Sequence, residues 1–257
     1  MINLDEGKNI VFVADVHLKA GDARGEKDVL GFLEKVKHLN AGELFILGDF
    51  FHLWINEPHF IKKSYQCILD KFTDLHRCGI RITYMVGNRD FLIANHYNPG
   101  SDVQVYETPQ LYRLGNTTLY ISHGDELCSL DRHYQIYKAF IRSSFMRLIV
   151  RLIPGRATMA IANLISKVSK RCLERKSQSS VEVPMEEIHK ILAQGIDAVI
   201  HGHCHRSYKL EPEIGGQKKQ VYCIGDWSKG VRFLFYDSRN RNFEFHVLPL
   251  ETRNGNL

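Results

Sequence analysis

Five times along the chain a short apolar run ends in a cluster of residues able to bind a metal, and this recurrence limits the possible folds more than any other feature. The runs are Ile10–Ala14, Leu44–Leu47, Ile80–Val86, Thr118–Ile121 and Ala198–Ile200. The clusters that follow them are Asp15-Val16-His17, Gly48-Asp49, Gly87-Asn88-Arg89-Asp90, His123-Gly124-Asp125 and Gly202-His203-Cys204-His205. Apolar runs of this kind suit buried strands. Helix-like stretches at Lys27–Leu39 and His59–Arg77 separate the early runs, which argues for an α/β sheet that is at least partly parallel. Ligands of open α/β sheets gather at the carboxyl ends of the strands, and all five clusters fall there.

Beyond His205 the pattern changes to closely spaced strands at Gln220–Ile224, Val231–Tyr236 and Phe243–Leu248, which read as a terminal antiparallel meander. Between the two regimes, residues 127–195 read as mostly helical. The helices expected there are Tyr134–Leu152, Ala157–Lys176 after a break at Pro154-Gly155, and Pro184–Ala193 with proline at its start. This stretch interrupts the strands, so it is read as a helical cap inserted into a single domain of residues 1–257.

Spacing gives the clusters chemical meaning. Asp15 and His17 stand two apart, as do His203 and His205, and a two-residue step in extended chain points both side chains to one side. A carboxylate such as Asp49 can bridge two cations, and mixed oxygen and nitrogen donors suit Mn²⁺, Fe or Zn²⁺ better than Ca²⁺. Any one cluster alone reads as hydrogen-bonded loop residues. Five in series, each closing an apolar run, point to a metal centre.

Composition sets the remaining bounds. With 257 residues, 44% apolar and 25% charged, the chain is neither disordered nor fibrous. No apolar stretch reaches the roughly 18 residues of a membrane span, and the first residues lack a signal-peptide pattern, so a cytoplasmic protein is expected. The six cysteines form no C-x-x-C pair and read as reduced thiols. Net charge is +5, yet Arg132 to Leu173 contains no Asp or Glu and nine Lys or Arg. Within it Phe140, Ile141, Phe145, Leu148, Ile149, Leu152 and Ile153 recur at helical spacing with Arg142, Arg147 and Arg151 between them. One apolar face flanked by cations suits an acyl-chain slot or an anionic membrane surface. Nucleic acid is not expected, because the large side chains are mainly aliphatic and not placed to stack on bases.

The series D-x-H, G-D, G-N-x-D, H-G-D and G-H-x-H resembles the calcineurin-like metallophosphoesterases. That resemblance implies an α/β/β/α sandwich of two sheets packed face to face. It implies two divalent metal ions, one held by Asp15, His17, Asp49 and His205, the other by Asp49, Asn88, His123 and His203, with a hydroxide between them as the attacking group. Purple acid phosphatases carry a Tyr three residues after the bridging Asp, where this chain has His52. Where phosphodiesterases have a His after G-N, this chain has Arg89, which cannot donate a proton but can grip a phosphate. A substrate whose leaving group is itself a phosphate would need no proton donor.

Gly87-Asn88-Arg89-Asp90-Phe91-Leu92, His123-Gly124-Asp125 with Leu127-Cys128, and Gly225-Asp226-Trp227 narrow the likeness further. Together they are similar to the UDP-2,3-diacylglucosamine hydrolases of lipid A synthesis, which carry a helical cap. The resemblance implies hydrolysis of a pyrophosphate in a nucleotide-linked glycolipid, with Mn²⁺, at the cytoplasmic face of the inner membrane and without an obligate protein partner. Asn88, Arg89 and His123 would act in catalysis, and Asn88, Arg89, Asp131, Ser169, Lys176 and His203 would contact substrate. Leu173 stands where the branch has Asn, and His52 where it commonly has an acid. The alternatives are the same two-metal centre acting on a different substrate, such as a nucleotide-sugar, a phosphodiester or a nucleic-acid end, and a non-catalytic interaction scaffold. Retention of all seven ligand types weighs against the scaffold.

Overall fold

A computed structural model describes residues 1–98, 100–128 and 183–250. In chain order the elements begin with β1 (Ile2–Leu4), β2 (Asn9–Val13), α1 (Ala23–His38), β3 (Ala41–Leu47), α2 (Pro58–Ser64), α3 (Gln66–Arg77) and β4 (Arg81–Met85). There follow β5 (Val103–Tyr106), β6 (Gln110–Leu114), β7 (Thr117–Ile121), α4 (Met185–Leu192), β8 (Ala198–His201) and β9 (Tyr208–Leu210). A small ribbon of β10 (Glu213–Ile214) and β11 (Gln217–Lys218) precedes β12 (Gln220–Cys223), β13 (Val231–Asp237) and β14 (Asn242–Leu248).

Two six-stranded sheets form the body. One runs β14-β13-β2-β3-β4-β5, with β2 to β5 parallel and β13 antiparallel to both neighbours. The other runs β1-β6-β7-β8-β12-β9 and is also mixed. Ile10, Phe12, Phe45 and Leu47 of the first sheet share one apolar cluster with Tyr112, Leu119, Ile121, Ile200 and Tyr222 of the second, so the sheets pack face to face. Phe12 stacks on Phe45 at 4.8 Å, and Phe45 meets Tyr112 edge-on at 5.0 Å. Each fully buried ring of this size contributes roughly 1.5–3 kcal/mol.

Helices cover both outer faces. Val29, Phe32, Leu33 and Val36 repeat at helical spacing along α1, and Ile68, Leu69, Phe72 and Leu75 along α3; both stripes bury against the first sheet. Ile188 and Leu192 of α4 pack with Val199 and Val221 on the outside of the second. The α/β/β/α layering is therefore as expected. The last helix of the expected cap belongs to this outer layer, and the expected helices at 134–152 and 157–176 lie outside the described residues.

Two expectations are corrected. The expected helix His59–Arg77 is broken at Tyr65, whose hydroxyl donates to the carbonyls of Leu18 and Leu53 and whose ring stacks on Trp54. These tertiary contacts override the local helical preference. The terminal meander does not exist as such: β12 joins the second sheet, parallel to β8, while β13 and β14 form a hairpin at the edge of the first. Gly225, at φ +77°, lies on the crossing segment, where the chain switches sheets.

Candidate metal centre

The sheets deliver their loops to one edge, and hydrogen bonds between loops hold that edge together. The segment after β2 runs beside the segment after β3: the Asp15 amide donates to Gly48 O, His17 N to Asp49 O, and Leu18 N to Phe50 O, at 3.2, 2.9 and 2.9 Å. Asp49 Oδ1 accepts the amides of Asn88 and Arg89 at 2.6 and 2.8 Å, fastening the β3 loop to the β4 loop. Asp15 Oδ2 accepts the His203 amide at 2.7 Å, fastening one sheet to the other. Gly87 has no room for a side chain, since a Cβ there would lie 2.2 Å from the Asp49 nitrogen.

Asp15, His17, Asp49, His203 and His205 all have φ between 50° and 70°. The two-residue steps are thus not extended chain, as the alternation argument assumed; β2 ends at Val13 and β8 at His201. Left-handed backbone at a non-glycine residue costs on the order of 1 kcal/mol or more each, and persists where surrounding bonds over-determine it. Side-chain convergence here comes from turns, not from strand pleating.

All seven candidate ligands meet at this edge. One ligand atom from each of Asp15, His17 and His205 lies within 4.8 Å of the others, and the same holds for Asp15, Asp49 and His123. Asn88 Nδ2 lies 3.5 Å from His123 Nε2 and 3.2 Å from His203 Nδ1. The rings of His17 and His205 stack at 4.8 Å with their Nε2 atoms 3.3 Å apart.

The cluster fits cations. Asp15 Oδ1 and His17 Nδ1 are buried without a hydrogen-bond partner, a cost of about 1–3 kcal/mol each unless something binds them. Burial pushes the Asp15 carboxyl up to about 7, against the pull of His123 and His205, and burial holds the His17 imidazole down to about 3. Burial also raises Asp49, but His123, His17 and the Arg89 amide outweigh it and hold this carboxyl down to about 2. Burial lowers His123, yet Asp49, Asp125 and Asp15 together lift it to about 9. Carboxylate oxygen, amide and imidazole nitrogen in one place suit Mn²⁺, Fe or Zn²⁺.

Groups behind the cluster were less visible in the sequence. Asp90 does not pair with Arg89; its carboxylate accepts from the amides of Gly87, Phe50 and Phe51 and from the Tyr84 hydroxyl, and it is fully buried. Arg89 instead sets its Nε 3.8 Å from Asp49 Oδ2. Asp226, quoted only as part of a motif, lies 3.3 Å from His205 Nδ1 and is itself held by the Ser228 amide and hydroxyl. His123 Nδ1 donates to the Leu47 carbonyl at 2.7 Å. His52 stands edge-on to His17 at 6.3 Å, and burial with the Arg89 charge holds it down to about 4. A cleft of about 420 Å³ opens beside His17, lined in part by Arg24, Trp227 and Lys229. Asp131, Ser169 and Lys176 lie outside the described residues. No helix among the described residues is long and apolar enough to cross a membrane.

Two face-to-face mixed sheets, with carboxylates and imidazoles converging where parallel strands end, define the calcineurin-like metallophosphoesterase class. No protein-family model matches the chain. The UDP-2,3-diacylglucosamine hydrolase of Pseudomonas putida is 30% identical over 244 residues, 94% of this chain and 99% of that protein. Those of Chromohalobacter salexigens and Pseudomonas aeruginosa are each 28% identical over 222 residues, 86% of this chain and 89% and 92% of theirs. An archaeal phosphodiesterase structure aligns at a TM-score of 0.45 and 13% identity, covering 93% of this chain and 99% of its own. The chain belongs to the UDP-2,3-diacylglucosamine hydrolase family.

Proposed function

We propose that this chain hydrolyses the pyrophosphate bond of UDP-2,3-diacylglucosamine to UMP and 2,3-diacylglucosamine 1-phosphate, in lipid A synthesis. The observation that carries the reading is family membership along almost the whole length of both chains. Asp15, His17, Asp49 and His205 would hold one divalent cation, and Asp49, Asn88, His123 and His203 the second, with Mn²⁺ as the metal. When bound, such a pair supplies a water of lowered pKa and neutralises charge on the phosphoryl oxygens.

The remaining roles follow from the residues. Arg89 is half-buried beside Asp49 and presents a fixed positive charge where a phosphate must sit. It supplies no proton, and a phosphate leaving group requires none. His123, with Nδ1–H committed to the Leu47 carbonyl, keeps its Nε2 lone pair toward the cluster. Asn88 lies between His123 and His203 and can orient both cation and phosphate. The cleft beside His17 gives the non-reacting part of the substrate room. A lipid substrate places the work at a membrane surface, and the acid-free basic segment 132–173 favours an anionic one, the cytoplasmic face of the inner membrane.

The test is turnover of UDP-2,3-diacylglucosamine with Mn²⁺, beside an aryl phosphodiester and with Asn88→Ala as control. Release of UMP from the lipid by the wild type and not by the control is expected. Cleavage of the aryl ester alone would remove the substrate assignment.

A further inference from the structure

Beneath the segment that carries His203 and His205 lies a second cluster of metal-binding side chains that the reaction does not use. β8 and β12 run parallel with His201 opposite Cys223. By strand alternation both sit with Val199 and Val221 on the outer face of the second sheet, toward α4. The turn after β8, closed by the Cys204 amide on Gly202 O at 2.9 Å, brings Cys204 back over the same face. There it shares one buried cluster with Cys223 and with Cys128, from the segment after β7. The Cys128 sulfur reaches the Gly124 carbonyl at 4.0 Å and the Cys223 sulfur the Gly202 carbonyl at 3.7 Å. Exposure is 0% for His201 and Cys223, 3% for Cys128 and 8% for Cys204.

We propose that Cys128, Cys204, Cys223 and His201 form a closed thiolate–imidazole site for a soft divalent cation, Zn²⁺ by its chemistry, separate from the centre that acts on phosphate. One ring nitrogen of His201 and the sulfurs of Cys204 and Cys223 lie within 4.8 Å of one another. Tetrahedral zinc, with bonds of about 2.3 Å to sulfur and about 2.0 Å to nitrogen, needs ligand atoms roughly 3.5–3.8 Å apart. These three therefore need close only modestly, and Cys128 would move in from the same buried cluster as the fourth. Three cysteines and one histidine are a recurrent closed ligand set for zinc, and thiolates select it over the oxygen-preferring Mn²⁺ and Mg²⁺.

The second shell also fits. His201 Nδ1 lies 3.0 Å from the Gly202 carbonyl, to which it donates, and that bond leaves the lone pair on Nε2. Nε2 is 3.1 Å from the Tyr208 hydroxyl, the contact that a cation would replace. Buried thiols often serve only as small apolar side chains. Here, however, two thiols and an imidazole converge, with the Cys128 thiol in the same otherwise apolar cluster, where one cation would bind all four at once. A disulfide would use two sulfurs and leave the third and the ring unserved. A cation there would clamp the segment of His203 and His205 to the segment that follows His123.

The test uses the whole chain, expressed in cobalt-supplemented medium, with Co²⁺ as the spectroscopic probe. The wild type is expected to show a thiolate-to-cobalt charge-transfer band and to hold about one more equivalent of cobalt than Cys204→Ser. The band should survive in Asp49→Asn, which removes the carboxylate shared by the proposed phosphate-acting centre, so the two readings fail separately. Cobalt-loaded wild type without the band overturns the proposal and needs no variant to fold. So does a band that persists in both Cys204→Ser and Cys223→Ser, or a non-reducing thiol count on the unfolded wild type that shows two of these cysteines joined.

Discussion

His123 and His205 belong to different ligand groups of the candidate metal centre, and what stands behind each differs. His123 is buried, and its Nδ1 rests 2.7 Å from a backbone carbonyl of β3, an atom that neither titrates nor changes with sequence. His205 is exposed, and its Nδ1 is 3.3 Å from the Asp226 carboxylate, a group that carries charge and can be substituted. The buried half is further braced by Asp90, which gathers four donors beneath the β3 and β4 loops. One half of the centre is therefore fixed by the scaffold, while the other is tuned by a side chain.

The comparison can be broken at its shared point. Asp49→Asn should remove the ligand common to both halves and lower turnover by roughly 10³-fold or more, with circular dichroism unchanged. A variant that kept most of its activity would deny Asp49 a bridging role. Next in size, Asp90→Asn offers one acceptor oxygen where the carboxylate uses two. It should cost about 3 kcal/mol of stability in urea unfolding, because a buried donor loses its partner. Little change would mean that the scaffold side is not rigid in the way described.

Asp226→Asn sharpens the contrast. It should weaken one cation by about 10–100-fold in a metal titration and leave the other unchanged, since only His205 depends on it. Equal weakening of both cations would remove the distinction between the halves. The smallest expected effect concerns pH. Burial lowers the His205 imidazole, but Asp226, Asp15 and Asp49 more than offset it, so in the metal-free protein His205 holds its proton above its usual range. Because a cation must displace that proton, affinity at this half should rise with pH through the His205 titration. In Asp226→Asn the same rise should move to lower pH, which metal titrations at several pH values would show.

Much of this site is legible in the sequence because it lies where strands must end. Short apolar runs specify buried strands, and chemistry collects at their carboxyl ends, so Asp15, Asp49, Asn88, His123 and His203 could be placed in order along one edge. The supporting groups carried weaker signals. Asp90 reads equally well as a partner for its neighbour Arg89, and only the approach of the β3 loop 40 residues away shows what it binds. Asp226 sits in a visible motif, but its link to His205 crosses 21 residues. The short edge strands β1 and β9 have half-polar patterns that periodicity does not distinguish from loop.

The sequence by itself determined the class of architecture, the order of the candidate ligands and the family, because hydrophobic period and motif spacing are local properties of the chain. The tertiary structure alone decided that β12 joins one sheet and β13 the other, that Tyr65 breaks a helix, and that five candidate ligands turn through left-handed backbone. It also brought His201, Cys128, Cys204 and Cys223 together. Each of these depends on contacts between residues distant in the chain, whose energies outweigh local preference and leave no periodic trace in the sequence.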